Sequence, residues 1–88
     1  MKDKEIERNM KALANNRRLA ILRLLKHKKA ATVGDISEEI KLSLKSTSRH
    51  LSVLFSADIL EREQKGLQVF YCLAGGISES ARRILALL

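Results

Sequence analysis

The sequence reads TVGDISEEIKLSLKSTSRHLSVLFS at residues 32–56, where two short amphipathic patterns follow each other with a tight connection between them. Thr32 is a good N-cap for a first helix over residues 33–40, because an acidic residue follows three positions later at the spacing of a capping box. Ser43 can cap a second helix that runs through about Ser56. The residues that recur three and four positions apart are expected to face inward: Val33, Ile36, Ile40, Thr47, Leu51, Leu54 and Phe55. The segment therefore predicts two short helices joined by a turn.

The outward faces of these two helices differ in charge. The first is acidic, with Asp35, Glu38 and Glu39, whereas the second is basic and rich in hydroxyl groups, with Lys45, Ser46, Ser48, Arg49 and Ser52. Serine reaches bases and phosphates without bulk, and arginine can bind guanine through two hydrogen bonds. Such a pair is typical of a helix-turn-helix, which inserts its second helix into the major groove of DNA. An ordinary solvated helix face is the alternative interpretation.

Helical periodicity also predicts helices on both sides of this segment. A first amphipathic helix covers about residues 3–14, and the two asparagines that follow can cap a second helix that ends near Lys26. The second helix is apolar around most of its circumference, so it is expected to be the central, most buried helix. A last helix begins near Ser78. The apolar positions of the first helix are Ile6, Met10 and Leu13, and those of the last are Ile77, Ala81, Ile84, Leu85 and Leu88.

The hydrophobic period changes from helical to alternating after Ile59. Residues 59–63 and 68–73 predict two strands joined around Lys65-Gly66, where glycine can adopt a positive φ. The expected fold is therefore mainly α-helical with one β-hairpin, in the order α-α-α-α-β-β-α of a winged helix-turn-helix. We expect residues 1–88 to form a single domain.

The charge balance favours a polyanionic partner. Lys and Arg number 17 against 10 Asp and Glu, which gives a net charge of +7, and the isoelectric point is near 10.0. Residues 1–29 hold ten of the basic residues against three acids. Nucleic acid and an anionic membrane surface both fit such a balance, and a lysine-rich solvated surface is the alternative interpretation.

Composition excludes several classes of protein. No run approaches the roughly 18 uncharged apolar residues of a membrane span, so we do not expect a membrane protein, and of the two polyanions we expect nucleic acid and no membrane as the partner. The first residues lack the apolar stretch of a signal peptide. The single cysteine, Cys72, cannot form an internal disulfide, which suits a reducing cytoplasm. We find no phosphate-binding glycine loop and no nucleophile–base pair, so we do not expect an enzyme.

Three segments resemble the ArsR-like family of bacterial and archaeal repressors. They are residues 13–22 (LANNRRLAIL), residues 42–54 (LSLKSTSRHLSVL) and residues 66–73 (GLQVFYCL). The resemblance covers about residues 10–74, and the Ser-Arg-His-Leu stretch within it is the most specific part. It implies a homodimer whose recognition helix and wing bind an operator and release it when an inducer, often a metal, binds.

The resemblance also implies roles for individual residues. On the recognition helix, DNA contacts would come from Leu44, Lys45, Ser46, Ser48 and Arg49, with His50 near the backbone or fixing the helix. Ser52 joins this set because of its outward position on the same helix. The wing would contribute Arg62, Lys65 and Gln68. The dimer interface would consist of Ile6, Met10, Leu13, Ile77, Ala81, Ile84, Leu85 and Leu88. The alternative for the last helix is that its apolar stripe covers the second helix within one chain.

The chain departs from the family pattern at several positions. Thr32 and Gly34 stand where many members have a Cys-x-Cys pair, and Glu79 is the only acid of the last helix, which also lacks histidine. Zinc and softer metals need about three or four N or S ligands, so we expect neither a metal nor another cofactor. Lys41 replaces the usual glycine of the turn, and would adopt a positive φ at a cost of about 1 kcal/mol. Cys72 is the only candidate for redox sensing.

From these observations we predict a sequence-specific, homodimeric repressor. It would bind a palindromic operator through the helix 43–56 and the wing 59–73. Two other classes use the same features. A sequence-independent architectural protein would exploit the net charge of +7. A winged-helix protein-interaction module would use the fold without entering DNA.

Overall fold

Five helices and a small antiparallel sheet make up the fold in the computed structural model, which describes residues 2–88, with side chains from Asp3 onward. The elements are α1 (Lys2–Leu13), α2 (Asn16–Lys28), β1 (Ala31–Thr32), α3 (Val33–Ile40), α4 (Leu44–Ser56), β2 (Leu60–Lys65), β3 (Gln68–Leu73) and α5 (Glu79–Leu85). The predicted mainly α-helical fold with a hairpin is confirmed. None of the described helices is long and apolar enough to cross a bilayer.

Helix α2 lies at the centre, as its all-round apolar sequence predicts. Asn15 caps it, because the Asn15 side-chain oxygen accepts the backbone N–H groups of Arg17 and Arg18. Ile21, Leu22 and Leu25 are buried, and the core around them draws on every other helix and on the sheet. Helix α2 runs to Lys28, two residues beyond its predicted end. The helix-turn-helix and the hairpin therefore both pack against α2.

The turn between α3 and α4 has the strained geometry that the missing glycine predicts. Lys41 is left-handed, with φ 56° and ψ 54°. The N–H of Leu42 donates to the Ser37 carbonyl at 3.0 Å, and the N–H of Lys41 donates to the Glu38 carbonyl at 3.3 Å. These bonds satisfy carbonyls that the end of α3 would otherwise leave free. The turn sets the direction in which α4 leaves α3.

The sheet has three strands, one more than predicted. Strand β3 lies in the middle, with β2 on one side and β1 on the other, all antiparallel. Strand β1 has two residues, paired Ala31 with Tyr71 and Thr32 with Phe70. Such a strand is too short to show an alternating pattern, so only its distant partner identifies it. The hairpin turns at Gly66, whose φ is 64°.

Helix α5 divides its apolar stripe between the core and the surface. Ala81 and Leu85 are buried within the chain, and so is Leu13 of α1, with exposures of 0%, 6% and 3%. These three residues of the predicted dimer interface therefore have almost no surface left for a partner to cover. Ile77, Ile84 and Leu88 are half-buried, while Ile6 and Met10 remain exposed. Helix α5 ends at Leu85 and does not continue helically to the last residue.

Candidate nucleic-acid interface

Helix α4 places its buried and its exposed residues on opposite sides. Thr47, Leu51 and Leu54 are fully buried and attach the helix to the core. The outer side carries five of the residues proposed to contact DNA, all exposed: Leu44, Lys45, Ser48, Arg49 and Ser52. The helix has no acidic residue, so nothing on its own surface opposes an approaching phosphate.

The N-terminus of α4 is open and capped. The Ser43 hydroxyl accepts the N–H of Ser46 at 3.1 Å. This bond fixes the first turn. The Ser46 side chain is half-buried and does not lie fully on the outer face. The positive end of a helix dipole favours a nearby anion, so the first turn of α4 adds to the basic side chains that follow it.

Helix α3 packs against α4, and its outer face is acidic whereas that of α4 is basic. Ile36 is fully buried, whereas the predicted outer residues Asp35, Glu38 and Glu39 are all exposed. A polyanion is repelled by this acidic side and attracted to α4. The change in charge at the turn therefore selects which of the two helices can meet DNA.

His50 points away from the outer face of α4 and toward α2. Its Nδ1 accepts the Nε–H of Arg18 at 3.2 Å. Burial lowers the pKa of His50, and the positive charges of Arg18 and Arg17 lower this pKa further. The imidazole is therefore neutral near pH 7 and acts as an acceptor toward Arg18.

The wing is joined to α4 through a stacked arginine. The Arg62 guanidinium lies 4.0 Å from the centre of the Phe55 ring, a favourable cation–π arrangement. Lys65 lies 3.9 Å from a Glu63 carboxylate oxygen and 5.7 Å from the centre of the Phe70 ring. Gln68 pairs with Lys65 across the end of the hairpin. The structure thus brings Arg62 against the recognition helix, and keeps the other two residues together at the tip.

Sequence reasoning missed two features near this surface. Leu67, at the tip of the hairpin, is fully exposed. In addition, a groove of about 540 Å³ lies between α1 and α4, where Arg8, Lys11 and Arg18 meet Ser52 and Ser56. The leucine could have been found from its position in the turn after Gly66. The groove could not, because it needs the packing of two helices that are distant in sequence.

The start of α3 and Cys72 show ordinary structural roles. The Thr32 hydroxyl accepts the N–H of Asp35 at 3.1 Å and so caps α3. Within the described part of the chain, no group of three or more His, Cys, Asp and Glu side chains is placed to hold a metal ion. Burial raises the pKa of the Cys72 thiol, and Glu61 and Glu63 raise it further. A protonated thiol is a poor redox sensor.

The comparisons with known proteins agree with this geometry. The family model described as a helix-turn-helix domain matches residues 13–63. The transcriptional repressor SdpR of Bacillus subtilis is 38% identical over 63 residues, which span 72% of this chain and 69% of the relative. The arsenical resistance operon repressor of the same species is 31% identical over 70 residues, covering 80% of this chain and 67% of the relative.

The chain belongs to the ArsR-like family of winged helix-turn-helix transcriptional regulators. A homodimeric winged helix-turn-helix DNA-binding domain from Mycobacterium bovis has the same fold, with a TM-score of 0.83 and 34% identity over 96% of this chain and 74% of that domain. As in other ArsR-like proteins, the function is sequence-specific DNA binding in the regulation of transcription. Helix α4 is the recognition helix, and the hairpin of β2 and β3 is the wing.

Proposed function

We propose that this ArsR-like protein is a homodimeric repressor that binds a palindromic operator through α4 and the wing. The observation that carries the proposal is the outer face of α4, which is exposed, basic and free of carboxylates. It acts by occupying DNA rather than by catalysis, and we place it in the cytoplasm. Two recognition helices about 34 Å apart would enter successive major grooves on one side of the duplex.

Each exposed residue of α4 has a chemical role in this proposal. Arg49 can donate two hydrogen bonds to the O6 and N7 atoms of guanine. Lys45 and Ser48 are placed for phosphates and base edges, while Leu44, 60% exposed, fits against a thymine methyl group. At the wing, Lys65 and Gln68 would reach the neighbouring minor groove or its phosphates.

The remaining residues from the predicted contact set take different parts. Ser52 lies beside the cations of α1 and is suited to a phosphate rather than a base. Arg62 would hold the wing against α4 through Phe55 and meet DNA only with the outer edge of its guanidinium. Ser46 and His50 are half-buried. His50 would act mainly by fixing the helix through Arg18, and Ser46 would offer its hydroxyl to a phosphate.

The dimer interface is proposed to lie on α1 and α5. Ile6 and Met10 are 40% and 53% exposed. A groove of about 340 Å³ between the two helices is lined in part by Ile6 and Ser78. Together with the half-buried Ile77, Ile84 and Leu88, these residues give an apolar surface that a second copy can cover. The homodimeric state of the Mycobacterium bovis domain supports this arrangement.

Selection from random-sequence duplex DNA at physiological salt tests the proposal. We expect the wild-type protein to enrich an inverted repeat, and the R49A variant to lose the enrichment. R23A is the matched control, since it removes the same charge from an exposed position on α2. Binding without enrichment would instead indicate an architectural DNA-binding protein. Absence of binding would indicate a protein-interaction module.

A further inference from the structure

Arg18 connects three helices through one guanidinium group. It belongs to α2, and its Nη1 donates to the carbonyls of Lys11 and Ala12 at 3.2 and 3.1 Å. These carbonyls lie in the last turn of α1, where no further helical N–H is available. On its other side, Arg18 donates from Nε to Nδ1 of His50 on α4 at 3.2 Å. The end of α1 and the middle of the recognition helix therefore share one side chain.

The start of α2 fixes the backbone from which the Arg18 side chain extends. The backbone N–H of Arg18 donates to the Asn15 side chain at 3.1 Å, so the residue sits in the capped first turn. Next to it, Arg17 donates to the Ile40 carbonyl at 3.0 Å, immediately before the turn between α3 and α4. The planar guanidinium has fixed donor directions, so it can set both distance and angle between the groups it binds.

We propose that Arg18 and His50 are positioning residues, and that selective DNA binding requires the hydrogen bond between them because it fixes α4 relative to α1. The inference rests on the proposed function, in which α1 joins two chains and α4 reads the operator. In a dimer, the distance and angle between two recognition helices depend on how each α4 is held against its own α1. A loose link would widen the range of spacings and lower selectivity more than general affinity.

The bond requires an unprotonated Nδ1, so acid should break it. Both charged groups that act on His50 from α2 are cations, Arg17 and Arg18. Arg8 and Lys11 of α1 line the groove beside Arg18, and Arg49 is the chain neighbour on α4. On the α3 side, the neutral Ile40 carbonyl accepts a hydrogen bond from Arg17. A protonated His50 would therefore face a guanidinium, and would lose its acceptor atom at the same time.

Acidification separates this role from a direct DNA contact. If His50 touches a phosphate, a positive charge on it strengthens binding. If it is the acceptor of Arg18, the same charge weakens selective binding. Since burial and the two arginines lower its pKa, the change should occur below the ordinary histidine pKa of about 6.5.

The test measures the affinity for the selected operator duplex divided by the affinity for a scrambled duplex, from neutral pH down to about pH 5. H50N keeps an acceptor near the Nδ1 position but cannot titrate, so it should keep the wild-type ratio and lose the pH dependence. H50L removes the acceptor and should lower the ratio about tenfold at every pH. H27N, which removes the other histidine, is the control and should titrate like the wild type.

Arg18 gives an independent readout. R18K keeps the charge but loses the planar guanidinium, whose donors reach both α1 and α4. It should also lower the ratio of operator affinity to scrambled-duplex affinity about tenfold. The double variant R18K/H50L should be no worse than R18K alone, because R18K has already removed the bond to His50. Thermal unfolding of each variant shows whether it remains folded, and the comparison of H50N with H50L stands even if R18K does not fold.

The outcomes distinguish this inference from the proposed function. An operator ratio that survives in H50L, while R49A abolishes it, would overturn the positioning role and leave the proposed function intact. Tighter binding of the wild type in acid, absent in H50N, would likewise overturn it in favour of a phosphate contact. If random duplexes yield no operator, the proposed function fails and this inference fails with it.

Discussion

Two threonine hydroxyls in this protein lie in environments that have opposite effects on stability. Thr47, on the buried side of α4, is fully enclosed, and its hydroxyl finds no hydrogen-bond partner among the described residues. Thr32 has the same functional group in a productive place, as the cap of α3. An unpaired buried hydroxyl destabilises, whereas a capping hydroxyl stabilises by about 1 kcal/mol. The two threonines therefore form a natural pair for measuring the effect.

T47V is expected to leave the free energy of unfolding unchanged or to raise it by up to about 1 kcal/mol. Valine has nearly the same shape and removes a hydroxyl that has lost its water. T32V should lower the free energy of unfolding by about 1 kcal/mol, because it removes the cap of α3. Urea denaturation measures both. A clear loss of stability in T47V would mean that the hydroxyl has a partner after all.

Lys41 provides the second prediction at this scale. Its φ of 56° disfavours a residue with a Cβ, so K41G should raise the free energy of unfolding by about 1 kcal/mol. K41A retains the Cβ and should show no such gain, which makes it the control. Chemical denaturation of the three proteins decides the matter. Equal stability of K41G and K41A would show that the lysine is not strained.

At the level of elements, α1 and α5 are held together by a polar contact within an apolar surface. Asn9 is 2% exposed, and its Nδ2 donates to the hydroxyls of Ser78 and Ser80. Ser78 also caps α5 by accepting the N–H of Ala81 at 3.3 Å. At the other end, the Lys26 ammonium donates to the Leu85 carbonyl at 2.9 Å. Both ends of α5 are therefore fixed by side chains from other helices.

N9A should lower the free energy of unfolding by about 1–3 kcal/mol, because it removes a buried amide that donates to the half-buried hydroxyls of Ser78 and Ser80. N16A is the matched control, since Asn16 is exposed at the start of α2, and its effect should stay within about 0.5 kcal/mol. Thermal denaturation followed by circular dichroism measures the difference. Equal stability of the two variants would contradict the structural role of Asn9.

The features of these elements differ in how well they could be predicted from the sequence. Local signals predicted the caps Thr32 and Ser43, a cap at one of the two asparagines 15 and 16, and the positive φ at Lys41, because caps and turns depend on neighbouring residues. Strand β1 was missed because its pairing with β3 spans about half of the chain and leaves no pattern of its own. The link between Arg18 and His50 was missed for the same reason. The stripe on α5 was predicted, but its division between core and surface depends on where α2 lies.

At the scale of the whole molecule, several cationic side chains form contacts within the protein. Arg8 pairs with Asp58 at 3.0 Å, Arg17 and Arg18 bind backbone carbonyls, and Lys26 holds α5. These contacts restrain the side chains but leave the net charge of +7 unchanged, because carbonyl groups are neutral and the Arg8–Asp58 pair is already cancelled in that sum. The net charge alone would attract any duplex, so selectivity has to come from the outer face of α4. Selectivity then depends on how two copies of α4 are spaced.

Met10 is the residue through which the dimer can be tested. It is 53% exposed on α1, so a carboxylate there costs one folded chain little but is costly within an apolar interface. M10E is expected to sediment as a folded monomer. It should bind the operator at least about tenfold more weakly, because each single chain contacts only one half-site. M10L should remain dimeric. A dimeric M10E protein with full affinity would place the interface elsewhere.

A hydroxyl-radical footprint on the selected operator duplex tests the central claim most directly. For the wild-type protein we expect two protected segments related by two-fold symmetry, centred about one helical turn apart on one side of the duplex. R49A is used at a higher protein concentration that gives the same occupancy of the duplex. Its protected segments should no longer lie at positions set by the DNA sequence. A single protected segment, or uniform protection along the duplex, would contradict a dimer that reads DNA through two copies of α4.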